Sequence, residues 1–348
     1  MKISATFNGI ILQASCVYMN RKHNPVKAAV YHKYGSWDQF HLEEVPEPTV
    51  KDGHVLVKIK ASSINSWDAD MLKGDTWIIR ALNGFFKPRH TILGADIAGV
   101  VEEVGKDVQR FRAGDEVYGD IAEAHFGGFA EYGVVPEKLL AAKPTNVSFT
   151  EAASLPQAAL LAIQGLRFYG DICKGQKILI NGAGGGVGTL ALQYAKAKGT
   201  DVTCVDRREK FSTLQSFGAD RLIDFTTTDY TKTGIQYDKI LDVIAHRRTA
   251  DYKRVLNPDG VFAMIGGSMG GLLFRMMAVE PLLSRSRKMK LGIMPYHAGN
   301  TNLEVITQLI EGGTLKPVID STYPLTKVSD AFRHFISGNF CGKIVIEV

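Results

Sequence analysis

The chain has 348 residues, of which 45% are hydrophobic and 22% charged, and its mean hydropathy is −0.03. This balance excludes a disordered or low-complexity protein, and the length is sufficient for two domains of roughly 100–200 residues each. No stretch approaches the roughly 18 apolar residues that a membrane-spanning helix requires. The net charge of +5 is too small to favour a nucleic-acid ligand. We therefore expect neither a nucleic-acid nor a membrane partner.

The four cysteines, Cys16, Cys173, Cys204 and Cys341, are far apart in the sequence. Without a C-x-x-C pair or a Cys/His cluster at zinc spacing, neither a disulfide framework nor a structural zinc lobe is predicted. Unpaired cysteines are typical of a reducing compartment, so we expect a cytoplasmic protein.

Residues 1–25 fit the rest of the chain poorly, and we expect them to form a disordered leader. Lys2 and the partly apolar segment up to Cys16 are weakly similar to a signal peptide. The apolar run at residues 9–12 is, however, shorter than the ~7–15 residues of a signal peptide's apolar region. A further alternative is that Met19 is the true start of the protein.

The predicted elements up to residue 150 are short β-strands. Strand-like runs occupy Val26–Val30, Val55–Ala61 and Gly94–Val104, and turn-forming sequences such as Lys51-Asp-Gly53 separate them. Closely spaced short strands with glycine turns predict a β-rich, barrel-like domain.

The pattern changes near residue 150, where strands begin to alternate with helices. Glu151–Gly165 predicts a helix with a kink at Pro156. The strands and helices that follow are predicted at Lys177–Asn181, Gly188–Lys198, Asp201–Asp206, Glu209–Phe217, Asp238–Asp242 and Val261–Gly266. This alternation predicts an α/β fold with a doubly wound parallel sheet. The chain then closes with helices at Leu303–Glu311 and Ser329–Ser337 and a strand at Lys343–Val348 that rejoins the first domain.

A glycine-rich loop joins the first strand of this sheet to a helix. Its residues are Ala183, Gly184, Gly185, Gly186, Val187 and Gly188, and in the frame G-x-G-x-x-G alanine replaces the first glycine. Such a loop lets the backbone approach a pyrophosphate, which the free N–H groups of the helix attract. Asp206 ends the next strand, where a carboxylate would bind an adenosine ribose. The order strand, loop, helix, strand and acid predicts a dinucleotide site.

The choice between NADH and NADPH stays open at this point. Asp206 favours NADH because a carboxylate repels a 2′-phosphate. Arg207, Arg208 and Lys210 follow it closely and are able to bind that phosphate.

Besides the glycine loop, four short blocks stand out in the chain. They are Ser63-Ile-Asn65-Ser-Trp-Asp68, Leu93-Gly-Ala-Asp96-Ile-Ala-Gly99, Gly114-Asp-Glu-Val-Tyr-Gly119 and Gly342-Lys-Ile-Val345. Together, in this order, they resemble the zinc-independent quinone oxidoreductase branch of the medium-chain dehydrogenase/reductase superfamily. The resemblance implies a GroES-like catalytic domain at 26–150, completed by 303–348, and a Rossmann NAD(P)-binding domain at 151–302. It also implies a homodimer, and a nicotinamide contact at Gly266 and Gly267.

The resemblance also bears on metal chemistry. Zinc alcohol dehydrogenases of the same superfamily carry a cysteine ligand in the stretch that matches Ser63–Asp68, and a histidine where this chain has Ala95. Because both ligands are missing, we expect no metal and a conjugated substrate, namely a quinone or an α,β-unsaturated carbonyl. Hydride addition to it leaves a delocalised anion that needs only a hydrogen bond and a proton. The resemblance places Asn65 and Asp68 in the cleft as catalytic residues, and loop capping is the alternative role for both.

Three other functions remain open. The same scaffold supports a 2-enoyl thioester reductase. The chain departs from the family at Asp70 and Leu161, which keeps a non-catalytic NAD(P)H-binding protein among the alternatives. Gly266-Gly-Ser268-Met-Gly270 matches the nucleophile elbow of a serine hydrolase, with Asp320 and His334 following in the order of that triad. This motif is short and falls at the expected nicotinamide contact, so we favour the reductase.

Overall fold

The computed structural model describes residues 24–267 and 288–348. Nearly all of the predicted leader, and Ser268 of the hydrolase motif, lie outside the described residues. The described part of the chain contains no helix that is both long and apolar enough to cross a membrane. It is built from two large sheets, a two-stranded sheet and the helices that cover them.

The sheet formed mainly by the N-terminal part of the chain has short, mostly antiparallel strands. β1 (Pro25–Val30) and β2 (His41–Pro46) form the separate two-stranded sheet. The large sheet contains β3 (His54–Ser63), β4 (Asp96–Val104), β5 (Glu116–Asp120), β6 (Tyr132–Pro136), β7 (Leu140–Ala142), and also β14 (Ile319–Pro324) and β15 (Lys343–Glu347). Their order is β14-β15-β3-β4-β5-β7, and β6 also pairs with β3. Because β15 sets Val345 opposite Ser63, the C-terminal strand lies beside the segment that carries Asn65.

The second large sheet has six parallel strands. They are β8 (Lys177–Asn181), β9 (Asp201–Asp206), β10 (Arg221–Asp224), β11 (Tyr237–Asp242), β12 (Leu256–Met264) and β13 (Lys290–Ile293). Their order is β10-β9-β8-β11-β12-β13, which reverses between β8 and β11. The predicted doubly wound α/β sheet is therefore confirmed. Ligands of such sheets bind at the carboxyl ends of the strands beside the reversal.

Helices cover both faces of the parallel sheet. In the described residues the helices are α1 (Ser66–Lys73), α2 (Trp77–Asn83), α3 (Phe149–Ala153), α4 (Pro156–Arg167), α5 (Gly186–Ala197), α6 (Phe211–Ser216), α7 (Thr249–Arg254), α8 (Asn300–Glu311) and α9 (Val328–Ser337). Ile178 and Ile180 of β8 pack in one core cluster with α4 and α5, and Leu179 packs in the opposite cluster with Phe262. This burial on both faces explains why the three central residues of β8 are all apolar.

Two helical features differ from the sequence-based prediction. Glu151–Gly165 is not one kinked helix, because α3 ends at Ala153 and α4 begins at Pro156. Proline has no N–H with which to continue the first helix, but its fixed φ suits the first turn of a new one. The β-type pattern of the N-terminal part also does not predict α1 and α2. Each has only about two turns, so a long apolar periodicity cannot develop.

Candidate active-site cleft

A cleft of about 370 Å³ lies between the two large sheets, at the carboxyl ends of the central parallel strands. The parallel-sheet side contributes Gly182, Gly185, Gly186, Val187, Asp206, Arg207, Lys210, Val243, Ile244, Ile265 and Gly266. The opposite side contributes Ile64, Asn65, Ser66, Lys343 and Ile344, and α4 contributes Gln157, Ala158 and Leu161. The cleft therefore brings the glycine loop, the end of β9 and the Asn65 segment together.

The glycine loop has the backbone geometry that a pyrophosphate requires. α5 begins at Gly186 with Gly185 as its N-cap, two residues before the predicted start. A Cβ at Gly188 would lie 2.3 Å from the Gly182 carbonyl oxygen, so only glycine allows this close packing. A Cβ at Gly185 would have no neighbour nearer than 3.6 Å, because Gly185 faces the open cleft. Since the first N–H groups of a helix have no partner within it, this open backbone suits an anion.

The six predicted loop residues divide into two groups. Gly185, Gly186 and Val187 line the cleft, whereas Ala183, Gly184 and Gly188 are buried behind them. The N–H of Gly184 donates to Oδ2 of Asp206 at 2.7 Å, and its carbonyl accepts from the N–H of Gly342 at 2.9 Å. The buried group therefore holds the loop against the end of β9 and against the start of β15.

Asp206 lines the cleft, but its carboxylate is already engaged. Its Oδ1 accepts from the N–H of Arg207 at 2.8 Å and lies 3.2 Å from the Lys210 ammonium, while Oδ2 holds Gly184. Arg207 is exposed and lines the cleft, whereas Arg208 is exposed away from it. Of the three predicted phosphate-binding cations, Arg207 and Lys210 reach the cleft, and Arg208 does not.

Two glycines that follow β12, Gly266 and Gly267, were predicted to contact the nicotinamide. Only Gly266 lines the cleft, and a Cβ there would lie 2.6 Å from the Val243 carbonyl oxygen. Gly267 pairs instead with Ala245 through an isolated β-bridge and is not among the lining residues. The expectation of a cleft contact is therefore corrected for Gly267.

Asn65 forms part of the opposite wall and is 7% exposed. Its Oδ1 accepts from the Lys343 ammonium at 2.6 Å, and its Nδ2 donates to Oδ2 of Asp96 at 3.0 Å. The ammonium also donates to Asp96 at 3.3 Å and to the Ile64 carbonyl at 3.0 Å, so all three of its hydrogens are used. An amide nitrogen carries two hydrogens, and no described residue accepts the second one of Asn65. Asn65 thus brings to the cleft lining an amide with one N–H that has no partner among the described residues.

Asp96 is fully buried and connects this wall to α4. Besides Asn65 and Lys343, its Oδ2 accepts from the Ser63 hydroxyl at 3.0 Å, and its Oδ1 accepts from the N–H of Gln157 at 2.9 Å. The Gln157 N–H is available because α4 starts anew at Pro156 and its first donors have no partner within the helix. Four donors therefore hold the Asp96 carboxylate, three of them on Oδ2 and one on Oδ1.

The sequence-based prediction did not include Lys343, Asp96 or Gln157 as site residues. One signal was present, because Lys343 begins the apolar terminal strand Lys343–Glu347. A lysine in a buried strand is rarely fully enclosed without a partner. The partner itself could not be predicted, because Asn65 and Asp96 lie more than two hundred positions earlier in the chain.

Asp68 does not line the cleft, which corrects its predicted catalytic position. The side chain is fully buried, with Oδ2 accepting from the N–H of Asn65 and Oδ1 from the N–H of Gly94, both at 2.9 Å. The Asn65 contact belongs to a capping box at the start of α1. Burial raises the pKa of Asp68 to about 7, although the two backbone hydrogen bonds favour the charged form. Asp68 therefore positions Asn65 from behind.

Another buried carboxyl group, that of Asp120, lies on the α4 side of the cleft. Asp120 accepts hydrogen bonds from the Tyr296 hydroxyl and, at 3.4 Å, from Nε2 of Gln157. Burial, together with the nearby charge of Asp96, raises the pKa of Asp120 to about 6. The polar groups around the cleft are thus arranged in a connected, mostly buried network. Among residues 24–267 and 288–348, no three His, Cys, Asp or Glu side chains are grouped as a metal site.

The parallel sheet, the loop shaped for a pyrophosphate and the facing β-rich sheet define the class of a dinucleotide-binding oxidoreductase. Two family models match the chain. Residues 51–145 match the alcohol dehydrogenase GroES-like domain, and residues 217–346 match the zinc-binding dehydrogenase family.

Known proteins resemble the chain over most of its length. It is 35% identical to 2-methylene-furan-3-one reductase from Solanum lycopersicum, over 92% of this chain and 79% of the relative. It is 32% identical to a chloroplastic NADPH-dependent alkenal/one oxidoreductase from Arabidopsis thaliana, again over 92% and 79%. The structure of a quinone oxidoreductase from Coxiella burnetii superposes with a TM-score of 0.83 at 26% identity, covering 93% of this chain and 99% of that one. The chain belongs to the medium-chain dehydrogenase/reductase superfamily, in its quinone oxidoreductase-like branch, as its motifs predicted.

Proposed function

We propose that the protein transfers a hydride from NADPH to a quinone or to the β-carbon of an α,β-unsaturated carbonyl, without a metal. The observation that carries this proposal is that the open backbone at Gly185 and the Asn65 amide line the same cleft. The names of the two relatives, a furan-3-one reductase and an alkenal/one oxidoreductase, support the same class of substrate.

The parallel-sheet side of the cleft would hold the cofactor. The backbone from Gly185 to Val187 would bind the pyrophosphate, and Arg207 and Lys210 would bind the 2′-phosphate. The Asp206 carboxylate is compensated by the Lys210 ammonium and by two backbone N–H groups. Its repulsion of a 2′-phosphate is thereby weakened, so we infer a preference for NADPH over NADH. When bound, the dihydronicotinamide supplies the hydride.

The Asn65 side of the cleft would hold the substrate oxygen. Negative charge develops on that oxygen as the hydride arrives, and the free N–H of Asn65 is available to donate to it. Lys343 holds the amide oxygen at 2.6 Å, which fixes the direction of this donor and adds positive charge nearby. The Lys343 ammonium donates all three of its hydrogens to protein oxygens. We therefore infer that Lys343 positions Asn65 and does not protonate the product. The proton for the product then comes from solvent.

The donor set around Asp96 supports chemistry without a metal. The Asp96 carboxylate could act as a metal ligand, and it lies in the block where zinc alcohol dehydrogenases carry a histidine ligand. Each of its oxygens is already occupied, by Gln157 on one side and by Ser63, Asn65 and Lys343 on the other. A cation on Oδ2 would have to displace three donors, and it would lie beside the Lys343 ammonium, so we infer that the site does not take one.

We also propose the domain boundaries 26–150 with 303–348 for the β-rich domain and 151–302 for the Rossmann domain. The pairing of β15 with β3 supports the assignment of the C-terminal segment to the first domain. A homodimer is proposed through the edge strand β13, in line with the family resemblance. The free cysteines Cys173, Cys204 and Cys341 support a reducing compartment, for which we propose the cytoplasm.

A cofactor and acceptor panel tests the proposed function. The chelator-treated protein is mixed with NADPH or NADH and with a quinone, an α,β-unsaturated ketone or a 2-enoyl thioester. We expect oxidation of NADPH with the quinone or the ketone, at a kcat/KM at least roughly tenfold above that with NADH. Chelation should leave the rate unchanged.

The other outcomes identify the alternatives. Turnover of the thioester alone would assign the 2-enoyl thioester reductase activity. Tight binding of NADPH without oxidation by any acceptor would assign a non-catalytic binding protein. A rate that chelation abolishes and zinc restores would disprove the metal-free mechanism.

A further inference from the structure

The segment that contains α2 carries an unusual concentration of exposed apolar side chains. Nine large hydrophobic side chains are exposed in the described residues, and four of them lie within ten consecutive positions. They are Trp77, Leu82, Phe85 and Phe86, exposed by 73%, 54%, 58% and 98%. We call these four residues the Trp77 patch. Isolated exposed apolar residues are ordinary, but a contiguous group of them marks an interaction site.

The residues of the Trp77 patch lie off the buried face of the segment. Ile78 and Leu82 are one helical turn apart and are both at least partly exposed, whereas Ile79 and Asn83 are buried on the inner side of α2. A helix of this length is only about 10 Å long, so the two phenylalanines that follow α2 remain close to the tryptophan that begins it.

The backbone beneath the patch is held in place. The Arg80 guanidinium donates to the Gly74 carbonyl at 2.6 Å and to the Phe85 carbonyl at 2.9 Å, which joins the residues before and after α2. The Tyr34 hydroxyl donates to the Gly84 carbonyl at 2.6 Å. The aromatic rings are therefore presented by an ordered segment, and their exposure does not come from a loose loop.

The charges around the patch indicate what it contacts. Residues 73–90 contain Lys73, Arg80, Lys87 and Arg89 but only one carboxylate, Asp75. Lys87 and Arg89 are exposed and follow Phe86 directly. Two copies of such a positive patch would repel each other. Aromatic rings beside cations match the headgroup region of an anionic bilayer, where rings insert and cations meet phosphates.

We propose that the Trp77 patch docks the protein on the surface of a bilayer that contains anionic phospholipid. Phe85, Phe86 and Trp77 enter the headgroup region, and Lys87 and Arg89 bind lipid phosphates. α2 then lies on the bilayer and does not span it. This surface activity is independent of the proposed reaction, and it departs from the composition-based expectation that the protein has no membrane partner.

Vesicle sedimentation with the full-length protein tests this docking. Vesicles contain phosphatidylcholine alone or with roughly 30% phosphatidylserine at low ionic strength. We expect the wild type to sediment with the anionic vesicles, much less with the neutral ones, and less again at high salt. The Phe85→Ser/Phe86→Ser variant should bind at least roughly tenfold more weakly. Lys87→Ala/Arg89→Ala should bind roughly thirtyfold more weakly.

Leu42→Ser is the matched control, because Leu42 is 45% exposed on β2, outside the patch. It should bind as the wild type does. Since these side chains are exposed, thermal unfolding should confirm that all variants are folded. A wild type that stays in solution with anionic vesicles, or a Phe85→Ser/Phe86→Ser variant that binds normally, would overturn the docking. A concentration-dependent dimer that only this variant loses would assign the patch to a second copy and would also overturn it.

Discussion

At the scale of single residues, the candidate site depends on the direction of a few hydrogen bonds. The motif that contains Asn65 is enough to predict a cleft residue, but not its orientation. Lys343, which holds the amide oxygen, lies 278 positions later in the chain. Asp68 shows a related limit, because an acid three positions after Asn65 suits both catalysis and capping. Asp68 is buried, and both of its carboxylate oxygens accept from backbone N–H groups. These contacts assign it to helix capping.

Replacing Asn65 with alanine tests the role of its free N–H. We expect Asn65→Ala to lower kcat by about 10²–10³, because one preorganised donor to the developing negative charge is lost. The KM for NADPH should remain within roughly twofold of the wild-type value, since the cofactor would be held by the parallel-sheet side of the cleft. Steady-state kinetics with an α,β-unsaturated ketone measure both quantities.

Ser66→Ala is the matched control for this variant, because Ser66 is the next residue and also lines the cleft. It should keep most of the wild-type kcat. An Asn65→Ala enzyme with normal kcat would show that the amide does not act on the reacting oxygen.

At the scale of secondary-structure elements, local sequence was informative wherever an element depends on its own residues. β8 and β9 were predicted with the observed bounds, because each is a short, mostly buried β-type run beside a helix. The sequence predicts an interruption at Pro156, but it does not predict that α3 and α4 are separate helices.

The C-terminal end of α4 is stabilised by a residue of another element. Lys239 of β11 is 4% exposed and donates to the carbonyls of Leu166, Phe168 and Gly170 at 2.6, 3.0 and 2.7 Å.

The Lys239 ammonium is expected to stabilise the C-terminal end of α4. Lys239→Met keeps the apolar stem but leaves three carbonyls without their shared donor, at a cost of about 3 kcal/mol in the free energy of unfolding. Urea denaturation measures this change. Lys177→Met, at the exposed start of the neighbouring β8, is the control and should change the stability by less than about 0.5 kcal/mol. Equal stabilities of the two variants would refute this role for Lys239.

At the scale of the whole molecule, the fold was predictable and the assembled site was not. Alternating strands and helices predicted the parallel sheet, and the glycine loop predicted which strand ends line the cleft. The opposite wall of the cleft combines the segment that follows β3 with α4 and β15, so its hydrogen bonds join segments that sequence periodicity cannot bring together. The choice of cofactor depends instead on a local contact, between residues only four positions apart. An unpaired acid at the end of β9 would repel a 2′-phosphate and favour NADH. The pairing of Lys210 with Asp206 weakens this repulsion.

Deuterium transfer tests the central claim most directly. NADPH that carries deuterium at the reactive C4 position is oxidised by the chelator-treated enzyme in the presence of an α,β-unsaturated ketone, and the product is analysed by NMR. Direct hydride transfer across the cleft places one deuterium on the β-carbon, while the α-carbon receives its proton from solvent. A product without deuterium at the β-carbon, formed at an undiminished rate, would contradict the account.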